Sequence, residues 1–272
     1  MKFIFTSLVI ALVSLHVNAQ PNALPTPRHK FTVIAHRGDH LRYPENTLEA
    51  YEEAITNGVD YVEIDLRTTK DGHMVSLHNA SVDHMTGAKG NISEMTLNEV
   101  LGLTIKSNQS GDTATYHIPT FEQILQLCKD KIYIYIDYKD ASAAATYSLL
   151  KKYGMERQVL VYINEDSQFK DWRKVDKDMP LMLSMPDEIK TPEGLKQFVQ
   201  QAQPDVLDGS WDDYTPEIVS MAKSLHISTW PDIQSSNEGP SNWSPAVLKG
   251  FTGLQTDHPL ALIQFLQSKG LR

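Results

Sequence analysis

Seven side chains in this sequence are of types that could do acid–base and phosphate chemistry together: His36, Arg37, Glu63, Asp65, His78, Asp137 and Lys139. An imidazole with its ordinary pKa of about 6.5 suits one histidine to accept a proton near neutral pH and the other to deliver one. Glu63 and Asp65 lie two residues apart in a β-rich run, so both must leave the same face of a strand. Carboxylates on one face repel. They are stable on a solvated rim, as a dyad sharing a proton, or around a divalent cation that takes oxygen ligands. Asp137 and Lys139 repeat the two-residue spacing and supply a third carboxylate and a cation, which could equally pair with each other as a salt bridge. Arg37 is built for two-pronged contact with phosphate oxygens, or for an ion pair with a rim carboxylate.

These residues need elements to position them. Residues 33–36 read as a buried strand, so His36, Arg37 and Gly38 fall where the chain must turn. Residues 59–66 read as a second strand, and Lys70-Asp71-Gly72 as a tight turn returning the chain antiparallel over 74–78. A turn centred between Lys70 and Asp71 would pair position 78 with position 63 and set His78 beside the carboxylates. Asn46 reads as a helix cap, with Glu45 near the positive end of that helix.

At this point the sequence resembles a known family, the glycerophosphodiester phosphodiesterases of the phosphatidylinositol phospholipase C-like superfamily. The resemblance rests on His36-Arg37-Gly38, on Pro44-Glu45-Asn46-Thr47, on Glu63-Ile64-Asp65 followed by His78, on Ile136-Asp137-Tyr138-Lys139, and on Thr256-Asp257-His258-Pro259, in that order. It implies a metal-dependent phosphoric diester hydrolase that cleaves glycerophosphodiesters to glycerol 3-phosphate and an alcohol, in lipid and glycerol metabolism. It implies His36 and His78 as the catalytic pair, Glu63, Asp65 and Asp137 as ligands of one divalent cation, Ca²⁺ or Mg²⁺, and Arg37 and Lys139 as substrate-binding groups. Trp230, with Trp211, follows a strand and is a candidate to wall the pocket against the apolar or glycerol part of a substrate, or equally to pack in the core. Glu45 and Asn46 would support the site from behind. The chain departs from the family pattern in three places. Asn79 stands where many members have aspartate, Asp137 where the residue is usually glutamate, and Trp230-Pro231-Asp232 where W-T-x-N is usual. Two alternatives stand beside this reading: a related barrel phospholipase acting on intact lipids, and a non-catalytic relative that binds phosphodiesters.

Eight strand candidates, at 33–36, 59–66, 132–137, 159–163, 181–185, 206–208, 227–230 and 253–256, alternate with helical patterns. Helix starts are marked by Asn46-Thr47-Leu48-Glu49, Thr96 with Glu99, Thr120 with Gln123, and by Thr191-Pro192, Thr215-Pro216 and Ser244-Pro245. Eight such units over this length predict an α/β fold, a (β/α)8 TIM barrel, and no Gly-rich phosphate loop argues for an open doubly wound sheet. The polar stretch 79–119 is too long for a barrel connection and predicts a small insertion after the second barrel strand, capping the pocket, with 106–117 as its most mobile loop.

Residues 1–19 read as a secretory signal peptide: Lys2, an apolar run over 3–17, then Val17-Asn18-Ala19 as a cleavage pattern. The run is too short to span a bilayer. A single domain over 30–272 follows, and a secreted or periplasmic location is expected. The formal charge of −9 becomes −10 without Lys2, 24 basic against 34 acidic side chains, which excludes nucleic-acid binding through a basic patch and stable membrane insertion. The expected partner is therefore a small-molecule glycerophosphodiester. The single Cys128 cannot form an internal disulfide and reads as a buried thiol.

Overall fold

Strand periodicity decides which side chains meet the pocket. In β1 (Thr32–Ala35), Val33 and Ala35 pack outward against helices while Ile34 turns inward. After α1 (Leu48–Thr56), β2 (Tyr61–Thr68) sends Val62, Ile64 and Leu66 to the same outer layer and Tyr61 to the barrel interior. Glu63 and Asp65 share the inward parity of Tyr61 but lie further along the strand, so the interior changes from apolar to acidic toward its C-terminal end. The computed structural model describes residues 24–107, 109 and 113–272; the expected signal peptide lies outside the described residues.

A short return strand, β3 (Met74–Ser76), pairs antiparallel with β2 through Leu66↔Ser76, Arg67↔Val75 and Thr68↔Met74. This register is one residue off the expected one: the turn centres on Asp71, where Gly72 takes a φ of 84°. His78 lies beyond the ladder and is not cross-strand from Glu63. The insertion follows, with α2 (Asp83–Thr86), a 3₁₀ turn at Ile92–Glu94, α3 (Leu97–Leu101) and a two-stranded ladder of β4 (Ile105–Lys106) and β5 (Thr115–Tyr116). The run 106–117, expected as a loop throughout, therefore begins and ends in this ladder. Val82, Ile92, Val100, Ile105, Tyr116 and Ile118 give the insertion a small core of its own, shared with Val75 and Leu77.

The rest of the chain supplies α4 (Phe121–Cys128), β6 (Tyr133–Tyr138), α5 (Ala143–Tyr153), β7 (Val159–Ile163), α6 (Asp166–Val175), β8 (Leu181–Ser184), α7 (Pro192–Ala202), β9 (Val206–Asp208), α8 (Pro216–Ser224), β10 (Ser228–Thr229), α9 (Pro240–Lys249), β11 (Gly253–Thr256) and α10 (Pro259–Ser268). Eight strands lie parallel in the order β10-β9-β8-β7-β6-β2-β1-β11. β10 is shorter than the expected 227–230 because Pro231 has no N–H to give the ladder, and Asp232 resumes it by bridging Ser210 on one side and Gln255 on the other. Those bridges close the (β/α)8 barrel.

Thr96 and Thr120 form the expected capping boxes, and Thr191 and Thr215 cap helices that begin with proline. Two starts differ. Thr47, not Asn46, caps α1, and α9 begins at Pro240, which leaves Pro245 inside the helix. The earlier start lets Trp243 and Ala246 share the buried face of α9. Cys128 is buried, which pushes its thiol up to about 12. Among the described residues no helix is long and apolar enough to cross a membrane.

Candidate active site

Parallel pairing of β2 with β6 puts Glu63 level with Tyr135 and Asp65 level with Asp137. Carboxylate oxygens of Glu63, Asp65 and Asp137 come within 4.8 Å of one another. Burial pushes the Glu63 carboxyl well above its ordinary value, and the charges of Asp65 and Asp137 push it further, against the N–H and charge of Arg37. Asp65 Oδ1 is buried and accepts no well-formed hydrogen bond, its nearest cation being Lys139 Nζ at 3.2 Å. Three converging hard oxygen donors, one of them unsatisfied, with repulsion stored among them, fit a divalent cation. Asp137, the shorter residue at a position where glutamate is usual, still reaches the cluster, held by Asn164 Nδ2 at 2.9 Å and Lys139 Nζ at 2.5 Å.

The turn after β1 brings the cations. Arg37 has a φ of 52° and its backbone N–H donates to Glu63 Oε2 at 2.7 Å, while Nη1 donates to Glu45 at 2.9 Å and Nε lies 3.5 Å from Asp65. Burial alone would lower the Arg37 guanidinium, but Glu45, Asp65 and Glu63 hold it raised, so it stays charged. Lys139 is likewise raised, the cost of burial being exceeded by Asp65 and Asp137. Gly38 follows with a φ of 84°, and a Cβ there would stand 2.9 Å from Ala50. Its absence lets the turn settle onto α1.

His36 Nδ1–H donates to Asp257 Oδ1 at 2.7 Å, which leaves Nε2 free to act on a ligand. Burial would raise the Asp257 carboxyl, yet the hydrogen bond and charge of His36, with His40 and Arg37, hold it below the ordinary range. Asp257 is in turn placed by Glu238, which accepts from its backbone N–H at 3.1 Å and from the Thr256 hydroxyl. His78 reaches the same pocket by another route. Arg67 donates from Nη2 to the His78 carbonyl at 2.6 Å and from Nη1 to Asp140 at 2.9 Å, fixing the segment after β3, and His78 Nδ1 donates to Asn79 Oδ1 at 2.9 Å. Asn79 thus supplies an uncharged partner where the family usually has a charged one.

A cavity of about 250 Å³ at the C-terminal end of the barrel is lined by His36, Arg37, Glu63, Asp65, His78 and Asp137, and by residues that motif reading did not single out: Tyr135, Tyr162, Asn164, Asp208 and Gln255, with Asp232 noticed only as a departure. Tyr135 and Asn164 carried a usable signal, since Tyr135 shares the parity of Asp137 and Asn164 directly follows the C-terminal end of β7. Trp230 differs from its expected place. It is 3% exposed, packs against Tyr61 in the barrel interior below the pocket, and donates from its indole N–H to Thr252 at 3.1 Å. Inward parity directly after the two-residue β10 put it against Ile34 and Tyr61 in the core rather than in the wall.

Fold and site together define a (β/α)8-barrel enzyme whose functional face gathers oxygen ligands, cations and imidazoles for an anionic substrate. The glycerophosphoryl diester phosphodiesterase family matches residues 36–259. A glycerophosphodiester phosphodiesterase from Caldanaerobacter subterraneus subsp. tengcongensis is 26% identical over 249 residues, 89% of this chain and 100% of that protein. Among solved structures, a glycerophosphoryl diester phosphodiesterase described as putative, from Silicibacter pomeroyi, has a TM-score of 0.79 at 24% identity, covering 92% of this chain and 97% of its own. A phosphodiesterase from Oleispira antarctica, solved in complex with the product sn-glycerol-3-phosphate, has a TM-score of 0.75 at 19% identity, covering 87% and 96%. The chain belongs to the glycerophosphodiester phosphodiesterase family.

Proposed function

We propose that this enzyme uses one divalent cation, Ca²⁺ or Mg²⁺, to hydrolyse glycerophosphodiesters to glycerol 3-phosphate and an alcohol, as part of lipid and glycerol metabolism. The observation that carries this reading is the convergence of the Glu63, Asp65 and Asp137 oxygens within 4.8 Å, beside Arg37, in a cavity that His36 and His78 also line. A cation held there would supply charge neutralisation to the phosphoryl oxygens. Arg37 and Lys139, kept charged by their carboxylate neighbours, bind those oxygens and oppose the negative charge that builds up in the transition state.

His36 is the general base in this scheme. Asp257 orients its ring and stabilises the imidazolium formed when Nε2 takes the proton of the nucleophile. The nucleophile's oxygen bonds to phosphorus, the bond from phosphorus to the alcohol oxygen breaks, and His78 gives its proton to the departing alkoxide. His78 is oriented by a neutral amide, the Asn79 side chain. The nucleophile is water or the neighbouring glycerol hydroxyl, the second giving a cyclic phosphate that water then opens. Product analysis on a panel of glycerophosphodiesters, with and without chelator, tests the reading. Glycerol 3-phosphate formed only with metal supports it, and undiminished turnover by metal-free protein overturns it. Trapping of a cyclic phosphate distinguishes the two nucleophiles.

Export is part of the same proposal. Lys2, the apolar run and Val17-Asn18-Ala19 support a secreted or periplasmic enzyme whose mature chain begins near Gln20. N-terminal sequencing of the protein from its native compartment tests this, and an intact Met1 would count against it.

A further inference from the structure

One wall of the cavity is not accounted for by phosphate chemistry. It is formed where β9 ends at Asp208 and where Asp232 bridges Ser210 and Gln255. Asp208 is 4% exposed and Gln255 5% exposed, yet Asp208 Oδ1 and Gln255 Oε1 have no well-formed hydrogen-bond donor among the described residues, although Tyr135 and the Gly209 N–H lie against the Asp208 carboxylate. Asp232 accepts from Gln255 Nε2 at 2.6 Å and from Gln234 Nε2 at 3.4 Å. The Gln255 amide is therefore turned with its nitrogen on Asp232 and its oxygen unsatisfied. Two buried acceptors without well-formed donors are costly unless a ligand brings the hydrogens.

Charge narrows the ligand. Five carboxylates line the cavity, Glu63, Asp65, Asp137, Asp208 and Asp232, against Arg37, with Lys139 bound to two of them. A divalent cation still leaves the formal balance one negative charge in excess, and a phosphodiester makes it two. Among the described residues Glu63, Asp65 and Asp137 are the group that converges on one point, so Asp208 and Asp232 do not complete a second metal cage. A neutral hydroxyl would satisfy the acceptors but leave the charge. A quaternary ammonium would offset the charge, with the Tyr135 and Tyr162 rings at hand, but has no N–H to give.

We propose that Asp208, Asp232 and Gln255 form the subsite for the departing alcohol and select one that carries a primary ammonium group, as ethanolamine does. Three N–H donors on a compact cation match two orphaned acceptors and a carboxylate. The inference rests on the phosphodiesterase reading for its substrate.

The test uses the purified, metal-loaded enzyme with glycerophosphoethanolamine, glycerophosphocholine and glycerophosphoinositol. The ethanolamine diester is expected to exceed both others by about tenfold or more in kcat/KM, since a site built around donors rejects analogues that lack them. Asp208→Asn and Asp232→Asn should each bring the ethanolamine-to-choline ratio toward one. A wild-type ratio near one, a preference for the inositol diester, or a ratio kept in both variants would overturn the proposal. If the variants do not fold, calorimetry of wild-type protein with free ethanolamine and free choline decides, equal affinities overturning it. That titration separates the two readings: failure to turn over any diester counts against the phosphodiesterase reading, whereas ethanolamine bound without preference counts against the subsite alone.

Discussion

Asn46 donates from Nδ2 to Asp65 Oδ2 at 2.8 Å, and so connects the turn before α1 to a carboxylate of the acidic cluster. Asn46 has a φ of 56° and accepts at Oδ1 from Tyr51 and Ser76, at 2.8 and 2.9 Å. Its side chain is thus fully used in orienting Asp65. Asn46→Ala should weaken divalent-metal affinity by about 10–100-fold, the usual cost of losing a group that orients a ligand. Metal titration measures this. A variant that keeps wild-type affinity while losing thermal stability would show that Asn46 only holds the fold.

The histidines should fail differently. His36→Ala and His78→Ala are each expected to lower kcat by about 10²–10⁴ on natural diesters, with metal content kept. A nitrophenyl phosphodiester needs little help with its leaving group and should partly rescue His78→Ala but not His36→Ala. Rescue of the opposite variant would exchange the two roles. Asp257→Asn should resemble a milder His36 loss, a smaller fall in kcat with metal content kept, because the hydrogen bond at 2.7 Å would no longer reach a charged acceptor.

Stability of the metal-free protein should depend on Glu63 in a definite direction. Burial and its carboxylate neighbours raise the folded-state pKa of Glu63 above the unfolded value of about 4. The folded state then holds a proton that the unfolded state has lost, so stability is full below that value and declines as pH rises through the folded pKa. Glu63→Gln removes this dependence. The Tm of the variant minus that of wild type, both metal-free, should therefore grow from pH 5 to pH 8. A difference that does not change with pH would show that Glu63 ionises normally.

Gly38→Ala should cost about 2 kcal/mol or more, since alanine pays for a left-handed backbone and its Cβ would meet Ala50 at 2.9 Å. Denaturant unfolding measures the loss. Activity should fall along with stability, because the same turn places Arg37 N–H against Glu63.

Local rules were enough for much of this site. Two-residue spacing put Glu63 with Asp65 and Asp137 with Lys139 on common faces, and capping chemistry marked the starts at Thr96, Thr120, Thr191 and Thr215. Alternating strands and helices specified the barrel, because each parallel neighbour needs a crossover and seven crossovers join eight strands into one sheet that can close. Tertiary structure decided what depends on register between distant segments. One residue of slip at Asp71 took His78 out of the ladder, leaving Arg67 to anchor it. Barrel closure, not any local pattern, set Asp257 against His36, 221 residues away in the chain. The same closure buried Trp230 and gathered Asp208, Asp232 and Gln255 into one wall. A side chain's face follows from the chain's own periodicity, whereas its height in the barrel and its partners across it follow from how eight strands shear against one another.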